Sequence, residues 1–239
     1  MMLTLDHLIL RAADPAATLA ELADRLGAPV LAPVAEVSGL TSGIVRAGAL
    51  DLEVLRVGAT PPARVGGYGL GFTADVPLPD ASAALRSAGY PTSVAAKATA
   101  AGRSWRALQV HGLLPDPFPV PATTRHPGLM ARATEAAAGV MTKIPAVAKA
   151  ATRKSGRSMV VVTEYDFDAS AWRAAAGHGP DVLAVEVGTG GCDWSHLPLE
   201  PGPLELRASG QTGITRIIFE GDGDSFTLGD VDFEFSSAA

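Results

Sequence analysis

The chain has 239 residues, a net charge of −6, 26 glycines, 18 prolines and one cysteine, Cys192. That length supports one large domain or two small ones with a real core. The acidic balance argues against general nucleic-acid binding, the lone cysteine excludes an internal disulfide and a cysteine-rich zinc site, and no segment approaches the roughly 20 apolar residues of a membrane helix.

Residues 3–10, "LTLDHLIL", read as a strand. Asp14-Pro15 then opens an Ala/Leu-rich helix running to Leu26, with Asp14 as N-cap, Pro15 at the first helical position and Gly27 as the stop. Residues 29–38 read as a strand kinked at Pro33, and "SGIVRAGALDLEVLRVG" reads as two strands around a turn at Ala47-Gly48. The order β-α-β-β-β starts again near Gly66. "YGLGFTADV" is strand-like, "LPDASAALRSAGY" a helix capped by Asp80 and ended by Gly89, and "SWRALQV" a strand. Residues 112–123 are too Pro-rich for regular sheet. Residues 126–157 are Ala-rich, basic and broken at Gly139 and Pro145, which predicts an insertion of two short helices. "SMVVVTEYDFD" restores a strand. From Asp181 the chain offers short strands with Gly turns, a degenerate third unit. "GALDLE" at 48–53 is echoed by "GDVDFE" at 229–234.

A histidine inside an apolar strand asks for a partner. By a period of two, Leu3, Leu5, His7 and Ile9 share a face, as do Asp51, Glu53, Leu55 and Val57, and as do Val160, Val162, Glu164 and Asp166. Two modules closing a curved sheet would let His7, Glu53 and Glu164 converge. The plain alternative for His7 is a hydrogen-bonded core residue. For Glu53 it is pairing with Arg46 or Arg56, and for Glu164 pairing with Arg173. Other motifs are weaker. "GTGGCDWSH" at 188–196 reads as a turn rather than a nucleophile site, "VGGYGLG" lacks the residues of a phosphate loop, and "GDGD" at 221–224 suits a hairpin turn.

"LDHLILRAADPAATLAELADRLG" followed by "SGIVRAGALDLEVLRVG" resembles the opening module of the vicinal oxygen chelate superfamily. That group includes glyoxalase I, bleomycin-resistance proteins, fosfomycin-resistance enzymes and extradiol dioxygenases; the nearer likeness is to bacterial glyoxalase-like domain proteins. The resemblance covers residues 3–58 well, 66–110 with 158–168 moderately, and the part beyond 180 poorly. It implies paired βαβββ modules holding one divalent metal, with ligands from the first and last strands of each. The implied metal ligands are His7, Glu53 and Glu164. At the remaining position, where the family has His or Gln, this chain has Tyr68, Gly69 and Leu70; His111 ranks as a substitute below Glu164. Mn, Fe(II), Zn, Ni and Mg all suit one imidazole with two carboxylates.

The expected fold is α+β: a first module over 1–60, a second over 66–168 carrying the helical insertion, and a β-rich third unit over 180–239. The expected function is that of a glyoxalase-like, metal-dependent lyase, isomerase or dioxygenase acting on a small oxygen-chelating substrate, with Glu53 or Glu164 as general base. The alternative is a small-molecule binding or resistance protein without chemistry. The start does not resemble a signal peptide, so a cytoplasmic protein is expected, with no nucleic-acid partner and no membrane span. Whether the modules pair within one chain or across a homodimer stays open.

Overall fold

The computed structural model describes residues 1–37, 40–57, 61–114, 159–208 and 211–237. The predicted helical insertion at 126–157 lies outside them. The fold is α+β: two βαβββ modules share one cupped eight-stranded sheet, and a second, five-stranded sheet packs against it.

The first module runs β1 (Leu3–Arg11), α1 (Pro15–Leu26), β2 (Val30–Val37), β3 (Leu40–Ala47) and β4 (Leu50–Arg56). Helix α1 starts where Asp14 accepts from the Ala16 and Ala17 amides, and ends at Gly27, whose φ of 57° is left-handed. Its buried stripe of Thr18, Leu19, Leu22 and Leu26 covers the outer face of the sheet. The second module runs β5 (Gly66–Ala74), α2 (Leu78–Ser87), β6 (Ala96–Ala100), β7 (Arg103–Val110) and β8 (Met159–Tyr165). Helix α2 differs from expectation: Pro77 is the N-cap, no side chain caps it, and Asp80 sits inside the first turn, where its charge favours the helix dipole. Strand β6 had no clear alternation to announce it; it is an edge strand.

Strand order in the large sheet is β2-β3-β4-β1-β5-β8-β7-β6, and the edges β2 and β6 approach one another, so the sheet nearly closes. Within each module the first strand lies parallel to the last, β1 on β4 and β5 on β8; the modules join through the antiparallel pair β1–β5. Leu8, Leu10, Leu52, Val54, Leu70, Phe72, Val160 and Val162 point to the helix side and form the main core.

After β8 comes a short helix, α3 (Ala169–Ala176), capped by Asp168. Five strands follow: β9 (Val182–Thr189), β10 (Leu204–Arg207), β11 (Thr212–Glu220), β12 (Phe226–Leu228) and β13 (Val231–Ser236). Their order, β10-β9-β11-β13-β12, repeats β4-β1-β5-β8-β7 of the large sheet, with the same parallel and antiparallel pairings. The third unit is thus two shortened modules, in which turns at 190–203 stand where a helix would be. The echo between 48–53 and 229–234 has a structural meaning: both stretches enter the last strand of a module after a left-handed glycine, Gly48 (φ 54°) and Gly229 (φ 65°). Val185, Val187, Ile217, Phe219 and Phe233 join the main core, so both sheets share one interior. Among the described residues no helix is long and apolar enough to cross a membrane.

Candidate functional site

Strand β1 does not keep one face. Leu5 pairs with Phe72 and His7 with Gly71, so Asp6 is an extra residue, a β-bulge. Before it, Leu3 and Leu5 pack with the helix-side core; after it, Leu8 and Leu10 do, and His7 and Ile9 turn to the concave face. The expected shared face of Leu3, Leu5, His7 and Ile9 is therefore broken at Asp6. The bulge also aims the adjacent Asp6 and His7 at each other: His7 Nδ1 lies 2.9 Å from Asp6 Oδ2. The imidazole rests on Gly71, where a Cβ would come within 1.9 Å of its Cε1. Opposite His7 the second module's first strand thus has a glycine that makes room for the ring, not a ligand.

Glu53 lies on β4, and its Oε2 is 3.8 Å from His7 Nε2, while its Oε1 accepts from Ser42 at 2.5 Å. Both side chains are largely buried, 12 % and 22 % exposed. Neither Arg46 nor Arg56 pairs with Glu53: Arg46 donates to Asp51 and Arg56 to Thr41. Beside the pair, Ile9, Leu55 and Tyr68 form an apolar wall with Val57, Met159 and Val161.

Glu164 is on the other side of the sheet. On β8 it shares parity with core residues Val160 and Val162, whereas Met159 and Val161 line the concave face. Its carboxylate pairs with Arg106 at 2.5 Å and reaches the Leu78 amide at the start of α2. The structure brings His7 and Glu53 together and does not bring Glu164 to them. His111 lies one residue past β7, its amide bonded to the Pro91 carbonyl.

What occupies the concave face instead is Tyr165, the next residue along β8, and Arg173 from α3. Tyr165 donates to Asp6 at 2.6 Å. One Arg173 nitrogen, Nη2, lies 2.7 Å from Asp6 Oδ1 and 2.6 Å from Asp51 Oδ2, and Nε donates to Asp51 at 2.8 Å. Arg46 completes Asp51 from the other side at 2.8 Å. The plain alternative for Glu164 paired it with Arg173; Arg173 is instead drawn to Asp6 and Asp51 because two buried carboxylates need a cation and Arg offers a fork of donors. Burial opposes the charge on Asp6, but His7, Arg173 and Tyr165 outweigh it and hold its pKa well below the ordinary 3.8. Burial would likewise lower the His7 pKa; the Asp6 hydrogen bond and the charges of Asp6, Glu53 and Asp51 prevail and raise it above 6.5. Tyr165 is pushed above its usual range by burial and by Asp6, which keeps it a donor.

Sequence reading missed Asp6 and Arg173. The first had a signal, a carboxylate adjacent to the histidine; the second had only the weak helix cue of Asp168 and Gly177 around "ASAWRAAA". A resident divalent ion would draw its ligands from these donors. His7 and Glu53 are two; Asp6 and Asp51 are taken by guanidinium groups; Glu164 is elsewhere. Among the described residues no three His, Cys, Asp or Glu side chains are placed to hold an ion, so the donor set does not fit the expected metal.

No protein-family model and no curated protein matches the sequence. Solved structures do match. One is a hypothetical protein from Staphylococcus aureus, with a TM-score of 0.64 at 9% identity over 100% of both chains. The chain has that fold. Others are hypothetical protein BH1468 from Bacillus halodurans C-125 (TM-score 0.43, 11% identity, 71% of this chain and 99% of that one), and methylmalonyl-CoA epimerase from Mycobacterium tuberculosis (TM-score 0.39, 14% identity, 70% and 91%). At such identities the first likeness is one of fold alone, and the other two are too loose to build on.

Proposed function

We propose that the chain is a protein of the vicinal oxygen chelate type whose cup binds a small molecule and moves a proton on it, an isomerase-type activity. The observation that carries this reading is the facing pair His7 Nε2 and Glu53 Oε2 at 3.8 Å, each fixed from behind, by Asp6 and by Ser42. The paired βαβββ modules support the superfamily.

In this reading the Glu53 carboxylate takes a proton from a carbon next to a carbonyl. Ser42 keeps its second oxygen engaged, so one defined oxygen faces the substrate. His7, biased toward its charged form by Asp6, donates to the oxygen on which negative charge develops. The apolar wall of Ile9, Leu55 and Tyr68 holds the rest of the molecule and excludes water. No step is assigned to a metal, and Glu164 has no part.

The test is exchange of the α-proton of small oxo acids and malonate half-esters in D2O, followed by proton NMR. The wild-type protein is expected to catalyse exchange on at least one compound, with a loss of ~100-fold or more in Glu53→Gln and His7→Ala. A second reading, binding without chemistry, is favoured by the apolar wall itself. It takes over if those compounds bind the cup and none exchanges.

A further inference from the structure

The geometry points to Arg173 as the resident cation of the cup, occupying with its guanidinium the place between Asp6 and Asp51 that a metal ion would otherwise claim, and thereby positioning His7. The inference rests on the cup being the working site.

Asp6 and Asp51 are the two most deeply buried acids of the concave face, 5% and 2% exposed, on neighbouring parallel strands. A pair of buried carboxylates this close cannot stay ionised unless a positive charge lies between them. Here one nitrogen of Arg173 touches both, at 2.7 Å and 2.6 Å. Those are the distances of charge-assisted hydrogen bonds. The cation is supplied by α3, an element outside both barrel modules, and its side chain is only 14% exposed. Arg46 meets the other oxygen of Asp51 at 2.8 Å, and Tyr165 meets the other oxygen of Asp6 at 2.6 Å. With Arg173 on Oδ1, the remaining oxygen of Asp6 is left to Tyr165 and His7 Nδ1, which turns Nε2 toward Glu53. Arg173 is therefore a positioning residue three contacts removed from Glu53, through Asp6 and His7, and it closes the cup to divalent ions by filling it.

The test compares wild type, Arg173→Met and Arg173→Lys by bound-metal analysis and by thermal melting with added Mn²⁺ or Zn²⁺. Wild type and Arg173→Lys are expected to bind no stoichiometric ion and to show no shift in Tm. Arg173→Met removes the cation that Asp6 and Asp51 share, and its Tm is expected to rise by several degrees with saturating ion. A second measurement needs no variant. In wild type, the Arg173 guanidinium NMR signals should stay sharp on titration with paramagnetic Mn²⁺. Overturning results are one equivalent of metal in wild type lost in His7→Ala or Glu53→Gln, Mn²⁺ broadening of the Arg173 signals, or a folded Arg173→Met that ignores the ions. Proton exchange reports on Glu53 and His7 separately. Metal uptake by an exchanging wild type would sink the role of Arg173 alone, whereas a metal-free protein that exchanges nothing would sink the proposed activity.

Discussion

At the scale of single residues, the candidate site depends on what lies behind His7 and Glu53. Gly71 is fixed by the His7 ring, since a Cβ there would overlap it. Gly71→Ala is expected to cost ~1–3 kcal/mol in urea denaturation, and the cost should shrink in the double variant Gly71→Ala/His7→Ala, where the ring is gone. Additive effects would show that the ring and the glycine are independent. The pH dependence has a defined sign on each side. The His7 pKa is raised on folding, so its contribution to stability is full below 6.5 and lost as pH climbs through the higher folded value. The Asp6 pKa is depressed, so its contribution is full above 3.8 and lost as pH falls through the lower folded value. Chemical denaturation across pH should give a plateau between those two ordinary values, and His7→Ala should remove the decline on its alkaline side. Glu164 behaves differently. It is 28% exposed and Arg106 is 44% exposed, so Glu164→Gln should change stability by ~1 kcal/mol or less and leave proton exchange untouched.

At the scale of elements, the short helix α3 has eight residues and no buried side chain of its own, yet it carries Arg173. A helix this short does not persist by propensity. It is held by its Asp168 cap, which accepts from the Ala171 amide at 2.9 Å, and by the anchoring of Arg173 on β1 and β4. Asp168→Ala should cost ~1 kcal/mol. Arg173→Met should cost more, ~3–5 kcal/mol, because it removes the cation that two buried carboxylates share. Amide hydrogen exchange should then report faster opening of 169–176 in both variants, and unchanged protection there would argue that something else holds the helix. The bulge at Asp6 is the other decisive element-level feature. One extra residue in β1 moves the histidine from the helix side to the cup while leaving the leucines on either side of it in the core.

For the whole molecule, the relevant fact is that the large sheet and the five-stranded sheet share one interior. Phe219 and Phe233 from the small sheet are fully buried in it, together with Leu8 and Phe72 from the large one. Such a shared core predicts one cooperative transition. Phe219→Ala should lower stability by ~3–5 kcal/mol, and the fluorescence of Trp105 in β7 and Trp194 after β9 should report the same midpoint. Separate midpoints would mean that the sheets unfold independently. The repeated strand order makes the small sheet a shortened copy of the barrel, but its outward acids are neutralised differently: Glu234 pairs with Arg216, and Glu186 with Arg207. It offers packing to the barrel rather than a second cup.

The sequence by itself determined the elements of the first βαβββ module, those of the second except strand β6, the α1 caps, and the placing of His7 and Glu53 on strands. These follow from local rules: a period of two, a period of 3.6, and residues with special backbone freedom. Only the tertiary structure decided the parity of β8, which turns Tyr165 rather than Glu164 into the cup, the bulge that turns His7 there, and the joining of Arg173 to Asp6 and Asp51. Those depend on register and on charge pairing between residues 122 to 167 positions apart in sequence. A strand's alternation says that two faces exist; which one is buried against a helix, and which cation reaches the other, is set by partners that the local sequence does not contain.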